Sequence, residues 1–64
     1  MTRYYNTGKL TRDINANEQY LRAGTWAVVS VEEDINGLYV AVCSGSTNVW
    51  LPFYDTDYES LLTH

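Results

Sequence analysis

The chain has 64 residues, a net charge of −4 and an apolar share of 45%, enough for one small domain with a core and too little for two. Its single cysteine, Cys43, excludes an internal disulfide framework and a cysteine-based zinc site. With no basic-then-apolar leader at the start and no apolar run near the roughly 18 residues of a membrane span, a soluble protein of a reducing cytoplasm is expected.

In chain order, Arg3-Tyr4-Tyr5 has strand character, Asn6-Thr7-Gly8 is a turn signal, and Lys9-Leu10-Thr11 returns as a second short strand. The expectation for residues 1–12 is therefore a small edge hairpin, with an irregular arm as the alternative. Residues 16–23, Ala-Asn-Glu-Gln-Tyr-Leu-Arg-Ala, hold good helix formers. Asn15 is placed to cap that helix, with Glu18 three residues on, and Gly24 to close it in the left-handed conformation.

The central stretch predicts a meander of three strands, about 26–32, 38–43 and 48–53. Each run is rich in β-branched and aromatic residues, and Asn36-Gly37 and Ser44–Thr47 supply the turns. Alternation sorts Ala27, Val29, Val31, Leu38, Val40, Val42, Val49, Leu51 and Phe53 onto one face, expected to meet the helices. Trp26, Tyr39 and Trp50 collect on the other, which is either covered by the N-terminal segment or a binding surface. Pro52 cannot donate to a ladder, so the last strand is an edge or ends there. Thr56-x-x-Glu59 matches a capping box, and Tyr58, Leu61 and Leu62 recur at helical spacing, predicting a second short helix over 57–62. The fold class expected is α+β: a mainly antiparallel sheet with two short helices in one domain, 1–64.

Charge is divided along the chain. Arg3, Lys9, Arg12 and Arg22 all precede Ala23, against only Asp13 and Glu18; from Ala23 onward six acids stand without a Lys or Arg. A negative field over part of the surface follows, repelling nucleic acid and attracting basic proteins. Catalytic machinery is harder to find. His64 is the single histidine and the last residue, no phosphate-binding glycine loop is present, and Cys43 reads as a small buried residue. No enzyme, cofactor or metal is expected. Asp55-x-Asp57-x-Glu59 alternates oxygen donors, yet it lacks the length, central glycine and distal glutamate of a calcium loop, and helix capping accounts for it without an ion.

The acids offer a sharper possibility. Glu32-Glu33-Asp34 and Asp55, Asp57, Glu59 would stand in for DNA phosphates if folding gathers them, because carboxylates accept bidentate arginine contacts as phosphates do. Trp50, Tyr54 and Tyr58 would anchor the centre of such an interface. With these acid groups set between aromatics in a compact single domain, the chain resembles the small anti-CRISPR proteins of phages and mobile elements, in particular those acting on type I systems. That family shares no common motif, so the resemblance assigns no individual residue. It implies a non-enzymatic inhibitor, monomeric, in the host cytoplasm, bound to a Cas subunit whose basic groove takes nucleic acid; the chain itself would bind no nucleic acid and no membrane. Arg3, Lys9, Arg12 and Arg22 depart from a uniformly acidic mimic and leave open a bipolar molecule that inhibits by steric wedging; beside the inhibitor stand an interaction module working through the aromatic face and a subunit of a homo-oligomer.

Overall fold

The structure, a computed structural model, describes residues 2–63. It is built almost wholly of strands: β1 (Thr2–Leu10), β2 (Ile14–Ala16), β3 (Gln19–Leu21), β4 (Trp26–Asp34), β5 (Gly37–Ser44), β6 (Thr47–Pro52) and β7 (Leu62–Thr63), with one 3-10 turn at Tyr58–Ser60. Five strands form an antiparallel sheet in the order β6-β5-β4-β1-β7, and β2 and β3 form a separate two-stranded ribbon.

The α+β expectation is overturned, because neither helix forms. Residues 14–21 fold as a hairpin in which Ile14 pairs Leu21 and Ala16 pairs Gln19. Asn17 and Glu18 make the two-residue turn, with φ of 54° and 64°, the left-handed pair that matches the twist of a hairpin. Eight residues of good propensity do not sustain an isolated helix, and the hairpin buries Ile14 and Leu21 in the core. The C-terminal helix is replaced by the 3-10 turn and β7. Asp57, not Thr56, takes the cap position, and no side-chain cap bond is made there. Leu61 is fully buried, and Leu62 pairs Leu10 at the edge of β1.

The N-terminal hairpin is likewise corrected to one continuous strand. Gly8 is not a turn residue but a point of close approach: a Cβ there would lie 2.6 Å from the main-chain oxygen of Thr63. Strand β1 inserts between β4 and β7, and an extra residue at Arg3 interrupts its register with β4, bending the strand locally as bulges do.

The meander forms as expected, lengthened at several ends. The β4–β5 link is Ile35-Asn36, and Gly37 rather than Asn36 carries the positive φ, 116°. The predicted inward set is the core: Val29, Val31, Val40, Val42 and Val49 are fully buried with Leu61. Each such side chain contributes roughly 1.5–3 kcal/mol on leaving water. In place of helices, the ribbon and the segment after Pro52 cover this inner face. Ile14 and Leu21 pack in from the ribbon, Phe53 and Tyr58 from the segment. The ring of Tyr58 meets Tyr4 edge-on at 4.7 Å and stacks on Phe53 at 5.6 Å.

Candidate functional site: the acidic end and the aromatic outer face

The outer face of the sheet is left uncovered. Register brings Tyr5, Ser30, Ala41 and Trp50 into one row across four strands, since Tyr5 pairs Ser30, Ser30 pairs Ala41, and Ala41 pairs Trp50. Tyr5 is 67% exposed and Trp50 53%, with the small Ser30 and Ala41 buried between them. Trp26, 62% exposed, stands toward one end of this face opposite Lys9; Tyr39, half-buried, stands toward the other opposite Glu32 and Pro52. The alternation placed Trp26, Tyr39 and Trp50 together. Tyr5 was missed because β1 was read as a hairpin, though Tyr4-Tyr5 in a strand must send one ring to each face. The N-terminal segment does not cover this surface; it extends it.

The first acid group stands at one end of the sheet, and the second begins there and runs toward the other. Glu32, Glu33 and Asp34 close β4 at the hairpin that leads to β5, and β6 runs back to Pro52, opposite Tyr39 at that same end. The chain leaves from there through exposed Asp55, Asp57 and Glu59; the Tyr58 ring meets that of Tyr4, and the Ser60 and Leu61 carbonyls then accept the Thr11 hydroxyl at 2.7 Å and the Thr11 N–H at 2.8 Å, just past the far end of β1. Lys9, Arg12 and Arg22 belong to the opposite end. Lys9 faces the start of β4, Arg12 follows β1, and Arg22 precedes Gly24, whose N–H donates to the Leu10 carbonyl at 2.8 Å. Glu32, Glu33 and Asp34 are thus separated along the sheet from Lys9, Arg12 and Arg22, while Glu59 comes close to the basic end through Ser60.

Arg3 is the basic residue that joins the acidic end. Its Nη2 pairs with Glu33 Oε1 at 2.8 Å, and this hydrogen bond, then the positive charge itself, holds the Glu33 carboxyl below its ordinary value. Thr2 donates its hydroxyl to Glu32 at 2.9 Å, and Asp34 accepts the Asn36 N–H at 2.8 Å. At the other end Asp13 is held by the structure: its carboxylate accepts the Ala23 N–H at 2.7 Å and the Tyr20 hydroxyl at 3.1 Å. Those bonds, the backbone one first, lower its pKa, while desolvation and then Asp13 raise that of Tyr20.

The expected anchors divide. Trp50 is on the outer face, and Tyr54 is 88% exposed with its ring edge-on to Phe53 at 5.1 Å. Tyr58 is half-buried with its ring engaged in the core. Where β5 begins, Asp34, Asn36, Gly37, Leu38, Tyr39 and Trp50 line an open cleft of about 390 Å³. Cys43 is half-buried on the outer face with its Sγ 3.3 Å from Asn48 Oδ1, less enclosed than expected. His64 lies outside the described residues, among which no three His, Cys, Asp or Glu side chains gather as a metal cluster and no helix is long and apolar enough to cross a membrane. In comparisons with known proteins, no family model matches the chain, and neither does any curated protein or solved structure.

Proposed function

We propose that this chain is a non-enzymatic inhibitor that occupies the cationic nucleic-acid groove of a protein partner, in the manner of an anti-CRISPR protein held by a Cas subunit of a type I complex. The observation that carries the reading is the grouping of six acids in two surface segments: Glu32, Glu33 and Asp34 at the β4–β5 hairpin, and exposed Asp55, Asp57 and Glu59 on the segment that leaves β6 from that end. Six carboxylates, of which Glu33 is paired with Arg3, present a field that a phosphate-binding groove attracts, and exposed Trp50 and Tyr54 give the contact apolar area.

The test is competition. A purified type I surveillance complex is mixed with its target duplex, and duplex binding is followed by gel shift as the protein is added. Stoichiometric loss of the shifted band is expected, weakening steeply as salt rises from 50 to 300 mM. The variant E32Q/E33Q/D34N/D55N/D57N/E59Q should keep the fold by circular dichroism and lose inhibition. Inhibition that survives in that variant, or a duplex never displaced, overturns the proposal.

A second reading is favoured by the outer face, where Tyr5, Trp26 and Trp50 are each more than half exposed around a buried small-residue floor. On that reading the chain is a protein-interaction module and its charge serves solubility. W26A or W50A would then weaken partner capture more than the sixfold neutral variant, with little dependence on salt.

A further inference from the structure

We infer that the cleft between the β4–β5 hairpin and Trp50 is a receptor for a single arginine side chain of the partner, an inference that rests on the acidic end being the partner-facing one. The cleft has two kinds of wall. Tyr39 and Trp50 bring aromatic surface: they lie on adjacent strands of the outer face, Trp50 opposite Ala41 and Tyr39 two residues before it, the diagonal spacing at which large rings frame one space. Asp34 brings a carboxylate from the last position of β4, and Glu32 stands on the same face directly opposite Tyr39. The Asn36 N–H holds the Asp34 carboxylate through Oδ1 at 2.8 Å, which fixes the group without neutralising its charge.

An aromatic face beside a fixed carboxylate selects a planar cation. A guanidinium stacks on an indole or phenol ring with its charge over the electron-rich face, and its N–H fork meets a carboxylate in the same plane. An ammonium satisfies the carboxylate and loses the planar stacking. A nucleobase would stack on the rings but would bring its phosphate against Asp34 and Glu32. The volume, about 390 Å³, lies at the small end of the range for ligand sites, suited to one long side chain rather than a folded element. Asn36, Gly37 and Leu38 complete the lining.

The probe is the blocked tripeptide acetyl-Gly-Arg-Gly-amide, titrated into the ¹⁵N-labelled chain, with its citrulline counterpart as the uncharged isostere. Saturable shifts are expected at the Trp50 indole N–H and the Asn36 and Gly37 amides, with half-saturation on the order of millimolar for so small a ligand. The citrulline peptide should bind at least tenfold more weakly, and the lysine peptide should fall between. D34N, in which an amide oxygen still accepts the Asn36 N–H, and W50L should each lose at least fivefold in affinity with spectra otherwise unchanged. Equal binding of arginine and citrulline, shifts centred elsewhere, absence of a saturable shift at Trp50, or a response to a neutral disaccharide instead of the arginine peptide would each overturn the assignment. Failure of the peptide with inhibition intact removes the receptor and leaves the groove-blocking reading standing. Peptide binding in a protein that displaces no duplex does the reverse.

Discussion

The side-chain amide of Asn17 donates to the main-chain carbonyl of Trp50 at 3.1 Å, tying the turn of the β2–β3 ribbon to the strand that carries an exposed tryptophan. That strand, β6, is the outermost of its sheet on one side. The ribbon packed against it therefore serves two purposes: it closes the core over Val49, and it occupies an edge acceptor that another chain would otherwise find.

The turn that makes this contact is strained at its second residue. Asn17 tolerates the left-handed region, but Glu18, at φ 64°, does not do so cheaply. Glu18→Gly should stabilise the protein by roughly 0.5–1 kcal/mol, the relief of strain exceeding the added freedom of the unfolded chain. Asn17→Ala should cost about 1–2 kcal/mol by losing both the tolerated conformation and the bond to Trp50. Urea unfolding of the two variants beside the parent measures both.

Gly8 should not accept a side chain. Its Cβ would meet the Thr63 carbonyl oxygen at 2.6 Å, main chain that moves only if β7 leaves its place. Gly8→Ala should cost about 1–3 kcal/mol and detach β7 first. Native-state hydrogen exchange would register the change at Thr11, whose N–H donates to Leu61 at 2.8 Å, while the amides of β5 keep their protection.

Asp13 should give stability a dependence on acid pH. Its folded pKa is depressed, chiefly by the Ala23 N–H and then by the Tyr20 hydroxyl. A depressed carboxyl contributes fully above its unfolded value of 3.8 and loses that contribution as pH falls through the lower folded value. Asp13→Ala should therefore melt below the parent at neutral pH, with the gap narrowing only under about pH 3.8. A gap independent of pH would assign the effect to packing.

Arg3 should work against the proposed binding. It brings the cation that faces Glu33, and both side chains are well exposed, 54% and 40%, so the pair adds little to stability. Arg3→Ala should leave the melting temperature within about two degrees of the parent and strengthen binding to a cationic partner, measured by titration calorimetry at low salt. Unchanged affinity would place the contact away from this end.

The meander was legible because its signals agree: β-branched runs, alternation, and turn residues at both links all give the same answer for 26–52. The ribbon was not legible, because residues 16–23 have helical propensity, and the residue that betrays the hairpin is Glu18 in a conformation its type disfavours. Gly8 misled for a related reason. Beside Asn6 and Thr7 it looks like a turn, whereas it answers to Thr63, a residue 55 positions away. In the same way Leu61-Leu62 read as a helical stripe until Leu10 supplied a strand to pair with. For the candidate site, the sign and grouping of the acids were evident. That the second group starts from the hairpin end was not, since it depends on Tyr39 facing Pro52, a matter of register.

The seating of β1 between β4 and β7 has a consequence for how the molecule is made. Strand β1 precedes both its neighbours in the chain: Lys9 takes Trp26 on one flank and Thr63 on the other. A nascent chain that has exposed residues as far as Pro52 can assemble four strands, but Leu10 stays unsealed until Leu61 and Leu62 emerge. Such closure by distant partners is slow. During that interval the flank of β1 is open to any other extended segment nearby, a hazard that β7 removes with just two residues.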